Sequence, residues 1–443
     1  MQRWRPRAAA LRVLTRRSQS APIRRLSSHA NVETISVRCA SAGSIDVNLH
    51  NIPQHTPSHP LIIYLPPFFQ SSASPPPPLP SFLTSYPTAV INYRWHDPSS
   101  SSSTISPSSS PSPTYQWPTP LHDTLFAYHH LLTRLSPSTT PSTPTTTNPR
   151  PIYIYSSYLG ASIAASLALT ESHVSSDKPM AVRGLLTYNG IYNWTMFLPD
   201  HPVHQQRSKT LVTAAAPGGE EYADGSFFHY LKDRLPDLFP NPGGMFDPFA
   251  SPALFFRDPG LWVPEDFESS VTGDAMSRAV DALASGDGVG EGKTTTQTTW
   301  NLKPPPKSYL TFPPWSSTLK IPEALLLYES TPPAPGKGTR KPRKTTTTKT
   351  KRRVKVRNTF EGQALELGGF MRRSVERYEL RDAGEGTGEG SAEEGGEGQG
   401  GMEVEAEAER RVGMRDVGHV EGDGTLGGLG ERIAGEWLRE RIG

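Results

Sequence analysis

Short apolar runs separated by amphipathic stretches dominate the ordered part of this chain. Ile35 to Cys39 and Ile45 to Leu49 each alternate apolar and polar residues, with a short loop, Ala40 to Ser44, between them. Period-two alternation on either side of a glycine-bearing loop predicts a β-hairpin. Pro60 to Leu65 is apolar throughout, as a strand buried on both faces is, and Pro66 and Pro67 stop it. Ala89 to Arg94, Ile152 to Tyr155, Val182 to Tyr188 and Ala324 to Tyr328 predict four more buried strands, the third of them ended by Asn189-Gly190. Pro120 to Leu135 predicts an amphipathic helix, with Leu121, Leu125, Tyr128, Leu131, Leu132 and Leu135 on one side and proline at the tolerated first position. Further helices are expected from Ala161, over Glu361 to Tyr378 and over Gly430 to Ile442, and Arg377 to Leu380 begins a strand. Strands that alternate with helices predict a parallel sheet covered on both faces.

Composition narrows how much of the 443-residue chain that core can use. Hydrophobic residues make up 35%, against about 45–50% for an ordinary globular domain. The 45 prolines and 38 glycines cluster. Stretches 98–114 and 136–149 are nearly all Ser, Thr and Pro, and 382–411 is rich in Gly and Glu. Such compositions cannot bury a core and predict disordered insertions. So does 331–358, where eleven Lys or Arg occur without an acid. That basic run has no interleaved aromatics for base stacking, so it reads as a solvated insertion and nucleic acid is not an expected partner. The irregular stretch 195–300, with short apolar helices near Phe227 to Leu238, suits a cap region. Residues 1–30 carry arginines at 3, 5, 7, 12, 16, 17, 24 and 25 and no acid, the pattern of a mitochondrial transit peptide leading to the matrix. Cys39 is the only cysteine, which excludes an intrachain disulfide and a multi-cysteine metal site. No apolar run reaches the roughly 18–20 residues of a membrane span.

One stretch joins a strand to a helix across very few residues: Ile152 to Tyr155, the turn Ser156 to Gly160, then the Ala/Leu-rich run from Ala161. Four further segments accompany it. Tyr93-Arg94-Trp95 precedes Trp117-Pro118-Thr119-Pro120-Leu121-His122-Asp123, and Asp247-Pro248-Phe249-Ala250-Ser251-Pro252 follows later. Gly362 to Val375 contains Met371-Arg372-Arg373-Ser374, and Gly418-His419 stands before the last helix. Taken in order, these resemble the α/β-hydrolase superfamily, and within it the hormone-sensitive-lipase-like carboxylesterases. The resemblance covers residues 60 to 440 discontinuously. It implies an α/β-hydrolase fold over 31–443: a mostly parallel central sheet flanked by helices, with a cap region and long low-complexity insertions.

The resemblance also implies a site. The nucleophile motif of that fold, G-x-S-x-G, falls on Ser156-Ser157-Tyr158-Leu159-Gly160. Tyr158 therefore occupies the nucleophile position, where a phenol of pKa about 10 is a poor acyl acceptor. Ser157 is the alternative nucleophile; its ordinary role is a turn hydroxyl bonding the backbone. The loop that carries H-G-G-G in this group reads Leu65-Pro66-Pro67-Phe68-Phe69, and its two prolines remove N–H groups. The oxyanion position thus comprises Leu159, Pro67 and Phe68, with the Leu159 N–H as the retained donor. No aspartate occurs between Asp287 and Asp382, which leaves Glu329 as the acid that orients the base, and Glu361 as a second choice. The base is His419. The expectation is a mitochondrial protein impaired in catalysis that serves as a ligand-binding or scaffold module for a small hydrophobic or ester ligand. The alternative is an active carboxylesterase or lipase-like hydrolase using Ser157, His419 and Glu329. Neither reading calls for a metal or a cofactor.

Overall fold

The computed structural model describes residues 32–52, 59–67, 79–95, 116–136, 149–174, 179–198, 201–205, 226–261, 309–330, 357–380, 399–419 and 425–442. The expected transit segment, Phe68, nearly all of the basic run and most of the low-complexity insertions lie outside these residues.

Strands β1 (Val32–Arg38) and β2 (Ser44–His50) form the expected hairpin. Strands β3 (Leu61–Leu65), β4 (Thr88–Ile91), β5 (Arg150–Ser157), β6 (Met180–Tyr188), β7 (Glu323–Tyr328) and β8 (Val412–Asp416) follow. They build one eight-stranded sheet in the order β1-β2-β4-β3-β5-β6-β7-β8. Strand β2 runs antiparallel to both neighbours, and every pairing from β4 through β8 is parallel. Every residue of β3 and β4 is buried, which is why these runs lack polar alternation.

Each central strand divides its side chains between two cores. Leu61, Ile63 and Leu65 of β3 face a core shared with helices α1 (Thr119–Leu135) and α2 (Gly160–Glu171). Ile62 and Tyr64 face the other, which Trp437 and Leu438 of the terminal helix close. Helix α2 is apolar on every side, and ten of its twelve residues are buried, as suits a helix enclosed by the fold. Two short helices follow β6: α3 (Pro202–Gln205) and α4 (Phe227–Leu238), the latter capped by Ser226 Oγ accepting the His229 N–H. Helix α5 (Phe360–Ser374) is capped by Thr359, with Glu361 in its first turn and Arg372 and Arg373 in its last, charges that complement the helix dipole.

Two expectations fail near the C-terminus. Arg377 to Leu380 is not a strand: Val375–Leu380 continues α5 as a π-helical turn. Glu379 in that turn is held by Arg411 and by the Ile321 N–H at 2.7 Å. Residues 399–411, expected within a disordered insertion, form helix α6 (Gln399–Arg411). Its Glu, Ala and Arg residues are strong helix formers, and its acids meet the basic end of α5, with Arg372 Nη1 2.9 Å from Glu409. The helix then delivers β8 to the sheet edge. Helix α7 (Gly428–Ile442) ends the described chain.

Candidate functional site

Strand β5 ends at Ser157 and α2 begins at Gly160, so Tyr158 and Leu159 alone make the turn. Tyr158 has φ +51°, a left-handed conformation that is a genuine outlier for a bulky side chain. Gly160 lets the turn be this tight. A Cβ there would lie 2.5 Å from Ser156 Oγ, 2.8 Å from Tyr93 Oη and 3.0 Å from the Pro66 carbonyl oxygen. A strand, a strained one-residue elbow and a buried helix, set in a sheet whose second strand runs against the rest, decide the architecture. The chain has the α/β-hydrolase fold. Three of the segments that suggested it are joined to one another by side-chain hydrogen bonds. Arg94 grips the buried Asp123 through Nε and Nη2 at 2.9 and 2.7 Å. Asp247 accepts from Trp117 Nε1 at 3.2 Å, and Ser251 Oγ accepts the Trp194 N–H at 2.9 Å.

No protein-family model matches the chain, and no curated protein matches it in sequence. Solved structures do. An esterase of Pyrobaculum calidifontis is 14% identical with a TM-score of 0.29, covering 50% of this chain and 61% of its own. EstE1, a thermostable carboxylesterase cloned from a metagenomic library, is 16% identical with a TM-score of 0.32, covering 51% of this chain and 64% of its own. Carboxyl esterase 2 of the mycorrhizal fungus Tuber melanosporum is 13% identical with a TM-score of 0.31, covering 52% and 63%. The chain thus spans less than two thirds of the length of each of these.

The four parts that acyl transfer needs are a nucleophile, a base, an acid to orient it and donors for the oxyanion. At the nucleophile position the Tyr158 side chain is only 7% exposed. Its ring is packed edge-on by Phe227 at 5.1 Å, Phe360 at 5.6 Å and Tyr188 at 5.7 Å. Phe227 opens α4, in the stretch expected to form the cap, and Phe360 opens α5. Burial pushes the Tyr158 phenol above its ordinary value; a hydrogen bond from Asn189 opposes the change and the charge of Glu329 adds to it.

Ser157 is buried at the end of β5, opposite Tyr188 of β6. Among the described residues no hydrogen bond joins it to His419. The flanking serines bond backbone carbonyls: Ser156 Oγ donates to Leu65 at 2.8 Å and Ser162 Oγ to Leu159 at 2.9 Å.

Glu329 and His419 come together. Glu329 follows β7, His419 follows β8, and His419 Nδ1 lies 3.5 Å from Glu329 Oε2 with the imidazole half exposed. The other carboxylate oxygen of Glu329 accepts the Tyr188 hydroxyl. Asn189 completes the group. Its Oδ1 accepts the Glu329 N–H at 2.9 Å, and its Nδ2 lies 3.4 Å from Tyr158 Oη. Tyr188 is held far above the ordinary phenol value, by burial first and then by its neighbours Tyr158 and Glu329. Glu361 sits in the first turn of α5, and among the described residues no hydrogen bond joins it to Glu329 or His419.

On the oxyanion side, Leu159 is fully buried at the start of α2. The loop after β3 shows the elbow acceptors: the Leu65 carbonyl takes the Ser156 hydroxyl, and the Pro66 carbonyl takes the Tyr93 hydroxyl at 2.7 Å. Neither Pro66 nor Pro67 has an N–H to offer. Sequence reasoning missed Tyr188, Asn189, Phe227 and Phe360. Asn189 left one signal, as the asparagine ending a buried strand: it turns out at φ +48°.

Proposed function

We propose that this is an α/β-hydrolase-fold protein that no longer hydrolyses, and that it serves as a ligand-binding or scaffold module in the mitochondrial matrix for a small hydrophobic or ester ligand. The observation that carries the reading is Tyr158. It stands where the fold needs a nucleophile, and its ring sits beneath Phe227 and Phe360, in the space an acyl group would need. The prolines after β3 support the same reading, since the loss of a single oxyanion donor costs on the order of 100- to 1000-fold in rate. The test is labelling by a fluorophosphonate probe together with turnover of short p-nitrophenyl esters. Neither labelling nor turnover is expected, and probe attached to Ser157 overturns the reading. The location rests on the arginine-rich, acid-free residues 1–30. The full chain should enter isolated mitochondria, and import should stop when those residues are removed; a full chain that is not imported refutes the location.

One observation favours a second reading, a working carboxylesterase or lipase-like hydrolase using Ser157, His419 and Glu329. It is the 3.5 Å approach of His419 to Glu329, the relation an acid–base pair of this chemistry needs. Ester turnover abolished by both Ser157→Ala and His419→Ala would establish it.

A further inference from the structure

The end of the sheet opposite the elbow carries a feature that neither reading uses. Tyr158 and Glu329 stand at the C-terminal ends of β5 and β7. Residues Thr318–Lys320 lead into the N-terminal end of β7, and Ser172–Val174 lie beside them. Eight large apolar side chains are exposed among the described residues, and four of them gather at this end: Val174, Tyr309, Leu310 and Trp315. Trp315 is 72% exposed and Val174 is 66% exposed.

Named contacts make these residues one patch. The Val174 N–H donates to the Thr318 carbonyl at 2.8 Å. Trp315 meets Tyr378 edge-on at 5.6 Å, and Arg373 lies 4.8 Å over the Tyr309 ring. Leu310 is anchored through its N–H to the Phe256 carbonyl at 2.9 Å, and Lys320 through its N–H to the Ser172 carbonyl at 2.9 Å. The aromatic side chains therefore project from a fixed backbone. Arg377, exposed, and Arg373 flank them, and neither forms an ion pair among the described residues.

Projecting Trp and Tyr beside guanidinium groups that form no ion pair among the described residues suit one environment. Indole and phenol rings favour the headgroup level of a bilayer, where one part of the ring is apolar and the other wet. Arginine stems lie along apolar surface while the head reaches out to phosphate. No described helix is long and apolar enough to cross a membrane, so any association through this patch is peripheral. We propose that this face docks on an anionic lipid bilayer, with Trp315, Leu310 and Val174 entering the headgroup region and Arg373 and Arg377 meeting lipid phosphates. Docked this way, the protein turns its elbow, with Phe227 and Phe360 over it, away from the lipid.

The test is co-sedimentation of the full chain with phosphatidylcholine vesicles, with and without phosphatidylglycerol. Binding to the anionic vesicles should exceed binding to the neutral ones by about tenfold and weaken with added salt. Leu310→Ser with Trp315→Ser should reduce it about tenfold. Arg373→Gln with Arg377→Gln should remove the anionic preference. Met402→Ser, equally exposed but on α6, should change nothing. Should a double variant fail to fold, quenching by lipids with brominated acyl chains decides the matter: wild type should be quenched more than Trp315→Phe. Equal quenching, no binding to either vesicle, or binding that every patch variant retains (as the basic run 337–357 alone would give) overturns the proposal. So does a self-associating patch that binds no lipid.

Discussion

At Tyr158 a left-handed backbone and a bulky aromatic ring coexist at φ +51°. Such a conformation costs about 1–3 kcal/mol and persists only where the surroundings over-determine it. Here the surroundings are three aromatic rings, each pair worth about 0.5–1.5 kcal/mol beyond simple burial. The side chain thus holds down an elbow whose geometry suits a small nucleophile. Removing the ring with Tyr158→Ala should destabilise the protein by about 3–5 kcal/mol, because the cavity beneath Phe227 and Phe360 cannot fully close. Tyr158→Phe should cost about 1 kcal/mol, since the ring stays and only the hydroxyl's hydrogen bonds, those with Asn189 and Tyr188 among them, are lost. Urea unfolding of the two variants separates these outcomes; equal losses would mean that the hydroxyl, not the ring, is what the elbow needs. Tyr158→Ser should give no esterase. It restores the nucleophile's atom but leaves Pro66 and Pro67 without donors, and Tyr188 still occupies Glu329. Measurable turnover by that variant would show that the oxyanion side is intact after all.

Elements meet near the site through a buried polar network that no sequence motif announces. Gln363 of α5 accepts the N–H groups of Tyr192 and Asn193 at 2.9 and 2.8 Å, and donates to the Asn193 carbonyl and to Asn358 at 3.2 and 2.8 Å. Glu366, one turn on, accepts from Asn193 Nδ2 at 3.0 Å and pairs with Arg257. This stitches α5 to the segment leaving β6, and so fixes Phe360 over Tyr158. Gln363→Leu leaves two buried N–H groups unpaired, each costing about 1–3 kcal/mol. Its urea midpoint should fall accordingly, with unfolding still cooperative; an unchanged midpoint would mean that water or a shifted side chain repairs the network. The elements themselves were legible because local pattern decides them: apolar runs, unbroken in β3 and interrupted by Arg183 in β6, marked β3 to β7, and Pro120 placed the start of α1. Their meeting points were not. Tyr188 and Glu329 are 141 residues apart, and nothing local marks either as the other's partner. Strand β8 escaped because only Val412 of its five residues is buried. Helix α6 escaped because its glutamates read as a solvated run until Arg372 meets Glu409 across the gap to α5.

On the scale of the whole molecule, tyrosine is the titratable residue most often used as core among the described residues. Tyr128 and Tyr192 lie in one core, and Tyr64, Tyr153, Tyr155, Tyr158 and Tyr188 in the other. Burial raises the phenol pKa of each above its ordinary value. The consequence for stability has a definite sign. Below the unfolded-state value of about 10, the phenols are protonated in both states and contribute no pH dependence. Above it, the unfolded chain releases protons that the folded chain retains. The unfolded state then binds fewer protons, so stability falls with rising pH until the folded-state values are reached. A tenfold difference in proton affinity between the folded and unfolded chain corresponds to about 1.4 kcal/mol, and several buried phenols act together on both faces of the sheet. Denaturant unfolding should therefore give a stability that drops steeply above about pH 10, with tyrosinate absorbance appearing in a cooperative step as the protein unfolds. Tyr158→Phe should remove one member of the set and make the drop shallower. A gradual rise of tyrosinate absorbance in the folded protein that Tyr158→Phe diminishes would mean that solvent reaches the elbow, and that the aromatic seal over Tyr158 opens readily enough to admit a ligand.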